Sequence, residues 1–166
     1  TDIDEVIDRA TTNNISNIIC VGVDLESSKQ CIALAEKYEI VYATVGYHPH
    51  DSKDAANNYL HELKQLAENP KVIAIGEMGL DYFYNHSDKK IQLQRFKEQL
   101  DLAKELNLPA IIHNRESDDD LYEILKEYTP KGVIHCFSSD INFANKIIDL
   151  GLLLSFTGII TFKNST

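Results

Sequence analysis

Six short runs rich in β-branched residues alternate with polar stretches of helical period along these 166 residues, and this rhythm constrains the fold more than any other feature. The runs are residues 17–23 (NIICVGV), 40–46 (IVYATVG), 71–77 (KVIAIGE), 109–113 (PAIIH), 132–137 (GVIHCF) and 152–158 (LLLSFTG). Most are continuously apolar rather than alternating, as strands are when both faces of a sheet are covered. Between them, apolar residues recur every three or four positions. Residues 88–106 show this best, with Ile91, Leu93, Phe96, Leu100, Ala103 and Leu106 in phase. Residues 2–12, 27–39, 52–68, 118–128 and 140–149 follow the same period. Ser27 or Ser28 is placed to cap 27–39, and Ser117 to cap 118–128 with Asp120 three positions on.

Strand and helix in alternation predict a parallel α/β architecture. No linker, low-complexity tract or charge block divides the chain, so a single domain over residues 1–166 is expected. An open doubly wound sheet would carry a glycine-rich phosphate loop after its first strand, and residues 21–28 (VGVDLESS) lack one. A (β/α)8 TIM-type barrel instead places its chemistry at the ends of many strands. Here successive runs end in Asp24, His48, Glu77, His113 and His135, which favours the barrel.

Composition narrows the partners. A net charge of −10 argues against non-specific clamping of duplex DNA, which needs a basic stripe. It leaves nucleic acid open as a transient substrate, because divalent ions neutralise phosphates locally. No apolar run reaches the roughly 18 residues of a membrane span, and no charged-then-apolar leader is present. The first residue, Thr1, leaves room for an initiating segment before it. Cys20, Cys31 and Cys136 lack metal-ligand spacing, and three thiols suit a reducing cytoplasm as packing residues. A cytoplasmic protein with no membrane contact and no stable protein partner is expected.

Side chains alternate across a strand. Glu77 therefore shares a face with Ile75 and Gly79, His113 with Ile111, and His135 with Val133 and Phe137, while Cys136 points toward the helices. Two readings stay open. Each histidine alone is readily a hydrogen-bonded core residue. Together, two imidazoles and a carboxylate at one rim suit a catalytic metal site with an open position for water, since burying all three without a cation is costly. Asp24 reads as a helix cap, and His61 and His86 as solvent-facing.

The motifs VGYHPH (45–50), IGEMGLDY (75–82), IIHNRES (111–117), GVIHCFSS (132–139) and SFTGIITFKN (155–164) follow one another at spacings that resemble the TatD-type metal-dependent deoxyribonucleases. That family belongs to the amidohydrolase-like (β/α)8 barrels, and the resemblance covers nearly the whole chain. It implies a hydrolase that cleaves DNA phosphodiester bonds through a metal-activated water, as a 3′–5′ exonuclease using two divalent ions, Mg²⁺, Mn²⁺ or Zn²⁺. It implies that Glu77 bridges the ions, that His113 and His135 hold one of them, and that Arg115 and His48 meet a phosphate. DNA would be a transient substrate.

Three departures matter. The family's opening His-x-His strand has no match, its Glu-Thr-Asp motif on the eighth strand is not reached, and Ser139 stands where glycine is frequent. The resemblance thus implies strands two to seven of eight, truncation at both ends, two bare sheet edges and an incomplete second ion site. An inactive fragment or metal-binding α/β module is one alternative. A C–N or ester hydrolase on the related barrel is another, although such enzymes commonly use a lysine where Glu77 stands.

Overall fold

The structure is a computed structural model and describes residues 2–163. Among these, six strands form one all-parallel sheet in sequential order: β1 (Ile18–Val21), β2 (Val41–Val45), β3 (Val72–Asp81), β4 (Ala110–Arg115), β5 (Gly132–Ile134) and β6 (Leu153–Leu154). The six helices are α1 (Ile3–Thr12), α2 (Leu25–Lys37), α3 (Tyr59–Leu66), α4 (Lys89–Leu106), α5 (Asp118–Tyr128) and α6 (Ile141–Asp149). The sheet curls into part of a barrel wall, consistent with a TIM-type barrel. Among the described residues β1 and β6 each pair on one side only, so these six strands leave the ring open.

The helices bury their apolar stripe against the sheet. Phe96 and Leu100 of α4, Leu121 and Leu125 of α5, and Ile112 and Ile134 of the sheet join one core cluster, all at or near zero exposure. Side chains of this size each contribute about 2 kcal/mol through burial. The sheet's two ends are barer: Ile19 of β1 is 47% exposed and Leu153 of β6 is 70% exposed.

Several sequence expectations need correction. Asp24, not Ser27 or Ser28, caps α2; Ser27 sits at the third helical position and completes a capping box with it. Ser117 stands before α5 without capping it, because its hydroxyl donates to Leu80 O (3.1 Å) and Asn114 Oδ1 (2.7 Å) instead. The helix expected over 52–68 begins only at Tyr59; before it, Pro49–Asp54 form a 3-10 helix whose fixed proline φ suits its first turn. The runs 132–137 and 152–158 pair over three and two residues only. Cys136, past the end of β5, adopts a left-handed φ of 49° and lies with Sγ 3.0 Å from Thr157 Oγ1, so strand alternation does not govern it or Phe137.

Candidate metal centre

β3 is the element that builds the site. It continues four residues beyond Glu77, to Asp81, and its register against β4 shifts between Ile75 and Met78. That irregularity breaks the simple alternation over residues 75–79. The backbone there needs glycine. Gly79 has φ +140°, and a Cβ on it would lie 2.1 Å from His113 O. The close approach brings β3 and β4 together where both carry polar side chains.

His48 follows β2 and caps the 3-10 helix. Its N–H donates to Val23 O (2.9 Å), and its Nδ1 accepts from the His50 N–H (3.2 Å). His113 lies on β4 between two carboxylates. Its Nδ1 is 3.3 Å from Glu77 Oε1, and its Nε2 is 3.0 Å from Asp81 Oδ2. Asp81 Oδ2 also meets His50 Nε2 at 2.9 Å. The Asp81 N–H donates to Gln92 Oε1 (2.8 Å), and Gln92 Nε2 donates to Asp81 O (3.0 Å), so α4 fixes the backbone that carries this carboxylate.

Among the described residues, one group brings ligand atoms close enough for a cation: His48, Glu77 and His113, all within 4.8 Å of one another. The donor set fits a divalent ion. Two imidazole nitrogens and a carboxylate oxygen converge, and mixed nitrogen and oxygen ligands suit Zn²⁺ or Mn²⁺. The electrostatics agree. Burial drives the His48 pKa down to about 4, helped by repulsion from His113, so its imidazole is neutral at neutral pH, the protonation state in which a histidine can ligate a metal. For Glu77, burial raises the pKa, but the His113 contact and electrostatic attraction to the neighbouring imidazoles of His48, His113 and His135 outweigh it and hold the carboxyl below its ordinary value. Asp81 is likewise held low: burial opposes ionisation, and bonds from the Tyr84 N–H, His50 and His113 overcome it.

Glu77 and His113 of the expected ligand set thus come together. His48, expected at a phosphate, joins them. His135 does not belong to that three-residue group; it follows β5, half-buried, with its N–H donating to Ile112 O (2.7 Å), near enough to Glu77 for its charge to be felt there. Arg115 ends β4, exposed, with its guanidinium against the Phe83 ring (4.4 Å) and the Tyr84 ring (4.9 Å). An open cavity of about 790 Å³ is lined by Arg115, Tyr82 and Ser139 among others, and by none of the three grouped ligands. His61 and His86 are exposed as expected. Asp81 and His50 were missed by sequence reasoning. Asp81 stands four residues after Glu77, but the irregularity between Ile75 and Met78 deprives that even spacing of its usual meaning in a strand.

A curled parallel sheet with imidazoles and carboxylates gathered at its C-terminal rim has the architecture of the metal-binding (β/α)8 barrels. The profile of the family described as TatD related DNase matches residues 1–166, and the chain belongs to that family. It is 42% identical over 99% of its length to the uncharacterized metal-dependent hydrolase YabD of Bacillus subtilis, covering 66% of that protein. It is 36% identical over 95% of its length to the 3′–5′ ssDNA/RNA exonuclease TatD of Erwinia tasmaniensis, covering 62% of it. Among solved structures, the TatD homolog YjjV of Escherichia coli superposes with a TM-score of 0.90 at 32% identity, over 99% of this chain and 65% of that one. The chain spans about two thirds of the length of these relatives.

Proposed function

We propose that the protein containing this chain is a metal-dependent phosphodiesterase that hydrolyses DNA from a strand end. The convergence of His48, Glu77 and His113 ligand atoms within 4.8 Å carries this reading. Membership of a family with relatives named as 3′–5′ ssDNA/RNA exonucleases supports the substrate class. The six strands would take the places of strands two to seven in one eight-stranded barrel domain, and a second divalent ion would draw on strands outside it. Three free thiols support a cytoplasmic setting. No helix among the described residues is long and apolar enough to cross a membrane.

A divalent ion held by His48, Glu77 and His113 would polarise a phosphoryl oxygen and lower the pKa of a bound water. His135 stands by as a further ligand near Glu77. The chain's own groups do the rest. Asp81 orients His113 and His50 by accepting from both rings. Arg115 presents a planar, permanently charged fork to a phosphate. The test is cleavage of a labelled single-stranded oligonucleotide by the whole protein that contains this chain. Activity should vanish in excess chelator and return with Mg²⁺, Mn²⁺ or Zn²⁺; undiminished cleavage in chelator rejects the proposal.

A further inference from the structure

We infer that Phe83 and Tyr84 form a stacking shelf beside the metal centre for the unpaired terminal nucleobase of a nucleic-acid strand. The inference rests on the phosphodiesterase reading above and adds the element that holds the terminal base. Phe83 and Tyr84 lie just past the end of β3, after Tyr82, and are large aromatics left 50% and 49% exposed. Their rings lie edge to face with centroids 4.8 Å apart. The Arg115 guanidinium sits against both, at 4.4 Å and 4.9 Å. His86 stacks parallel to Tyr84 at 5.7 Å. Both residues remain half-exposed with these neighbours in place.

The shelf is tied to the centre. The Tyr84 N–H donates to Asp81 Oδ1 at 2.9 Å, while the other oxygen of Asp81 meets His113. The Tyr84 ring lies 5.3 Å from the His50 ring, which lies 4.5 Å from the ring of His48. One carboxylate therefore sets the shelf and a candidate ligand together. A base on the shelf would leave its phosphate near Arg115 and the imidazoles.

The chemistry selects an unpaired base. An exposed aromatic face stacks any nucleobase that is not already stacked in a duplex. The chain carries a net charge of −10, and Asp118, Asp119 and Asp120 line the cavity on which Arg115 also borders. A polyanion gains little from charge on such a surface once the metal is removed, so stacking on the exposed rings adds to what Arg115 supplies. A continuous duplex has no face to offer.

The test uses the whole protein in excess chelator, to suppress cleavage, and a single-stranded oligonucleotide ending in 2-aminopurine, whose fluorescence is quenched by stacking. Saturable quenching is expected. Phe83→Leu and Tyr84→Leu should each weaken binding about tenfold, Tyr84→Trp should restore it, and an abasic terminus should bind weakly whatever residue stands there. Absence of quenching, or equal affinities for both leucine variants, the parent and the abasic strand, overturns the shelf and leaves the rings as supports for Arg115. Metal-dependent hydrolysis of bis(p-nitrophenyl) phosphate by the unsubstituted whole protein is measured separately. Its absence would remove the phosphodiesterase reading, while the quenching result still decides the shelf.

Discussion

His48 gives the metal-free fold a pH signature. Its folded pKa of about 4 lies below its ordinary 6.5 because burial and His113 disfavour the imidazolium. As pH falls below 6.5 the unfolded chain takes up a proton that the folded chain refuses, so stability drops until about pH 4. The loss is about 3 kcal/mol. Glu77 and Asp81, both held low, lose further stability in the same direction as pH falls through their folded pKa values. Urea midpoints measured in chelator should therefore decline from pH 6.5 to 4, and His48→Asn should flatten the decline; a level profile for the parent would contradict this account. Gly79 makes a second prediction. Its φ of +140° and the 2.1 Å approach of an added Cβ to His113 O mean that Gly79→Ala should cost about 3 kcal/mol or more and shift His113. Thermal denaturation reads the first effect and metal titration the second.

At the scale of elements, α4 is the positioner. Gln92 and Gln99 are buried amides on that helix. Gln92 clamps the backbone of Asp81, and Gln99 clamps that of Tyr47 through bonds of 2.8 Å and 3.1 Å, just before His48. Gln92→Leu leaves the Asp81 N–H and C=O without these partners. It should destabilise the chain by about 2 kcal/mol and weaken metal binding roughly 10- to 100-fold. Asp24→Ala removes only a helix cap and should cost about 1 kcal/mol. If the two variants affected metal affinity equally, the positioning role of α4 would fail. The places of the strands and most helices were legible from periodicity, because the apolar runs and stripes are local signals. The end of β3 was not. Its glycines break the alternation over residues 76–79, and what fixes them is the close backbone of β4, more than thirty residues away. The same distance hid the Asp81–His50 pair, whereas the Glu77–His113 approach followed from reading both as rim residues. Ser117 shows the limit of cap rules: its sequence position suits a cap, yet tertiary partners take its hydroxyl.

For the molecule as a whole, the acidic surface sets the expected response to salt. Proteins that hold nucleic acid by many phosphate contacts show steep salt slopes. Here a net charge of −10, with Arg115 as the cation seated on the shelf, predicts a shallow one. Oligonucleotide affinity plotted against salt on logarithmic axes should fall with a slope of about 1 to 2, and Arg115→Ala should reduce it by about 1. A slope like that of a basic DNA-binding protein would place the contacts elsewhere.

The account turns on whether His48, Glu77 and His113 share a cation. Mn²⁺ titration followed by electron paramagnetic resonance, with nitrogen couplings resolved by pulsed methods, reads this directly. It should show a bound ion with two imidazole nitrogens in its coordination sphere, one coupling disappearing in His48→Ala and another in His113→Ala, and affinity falling sharply in Glu77→Gln. Mn²⁺ bound with unchanged affinity and an unchanged spectrum in all three variants would contradict it.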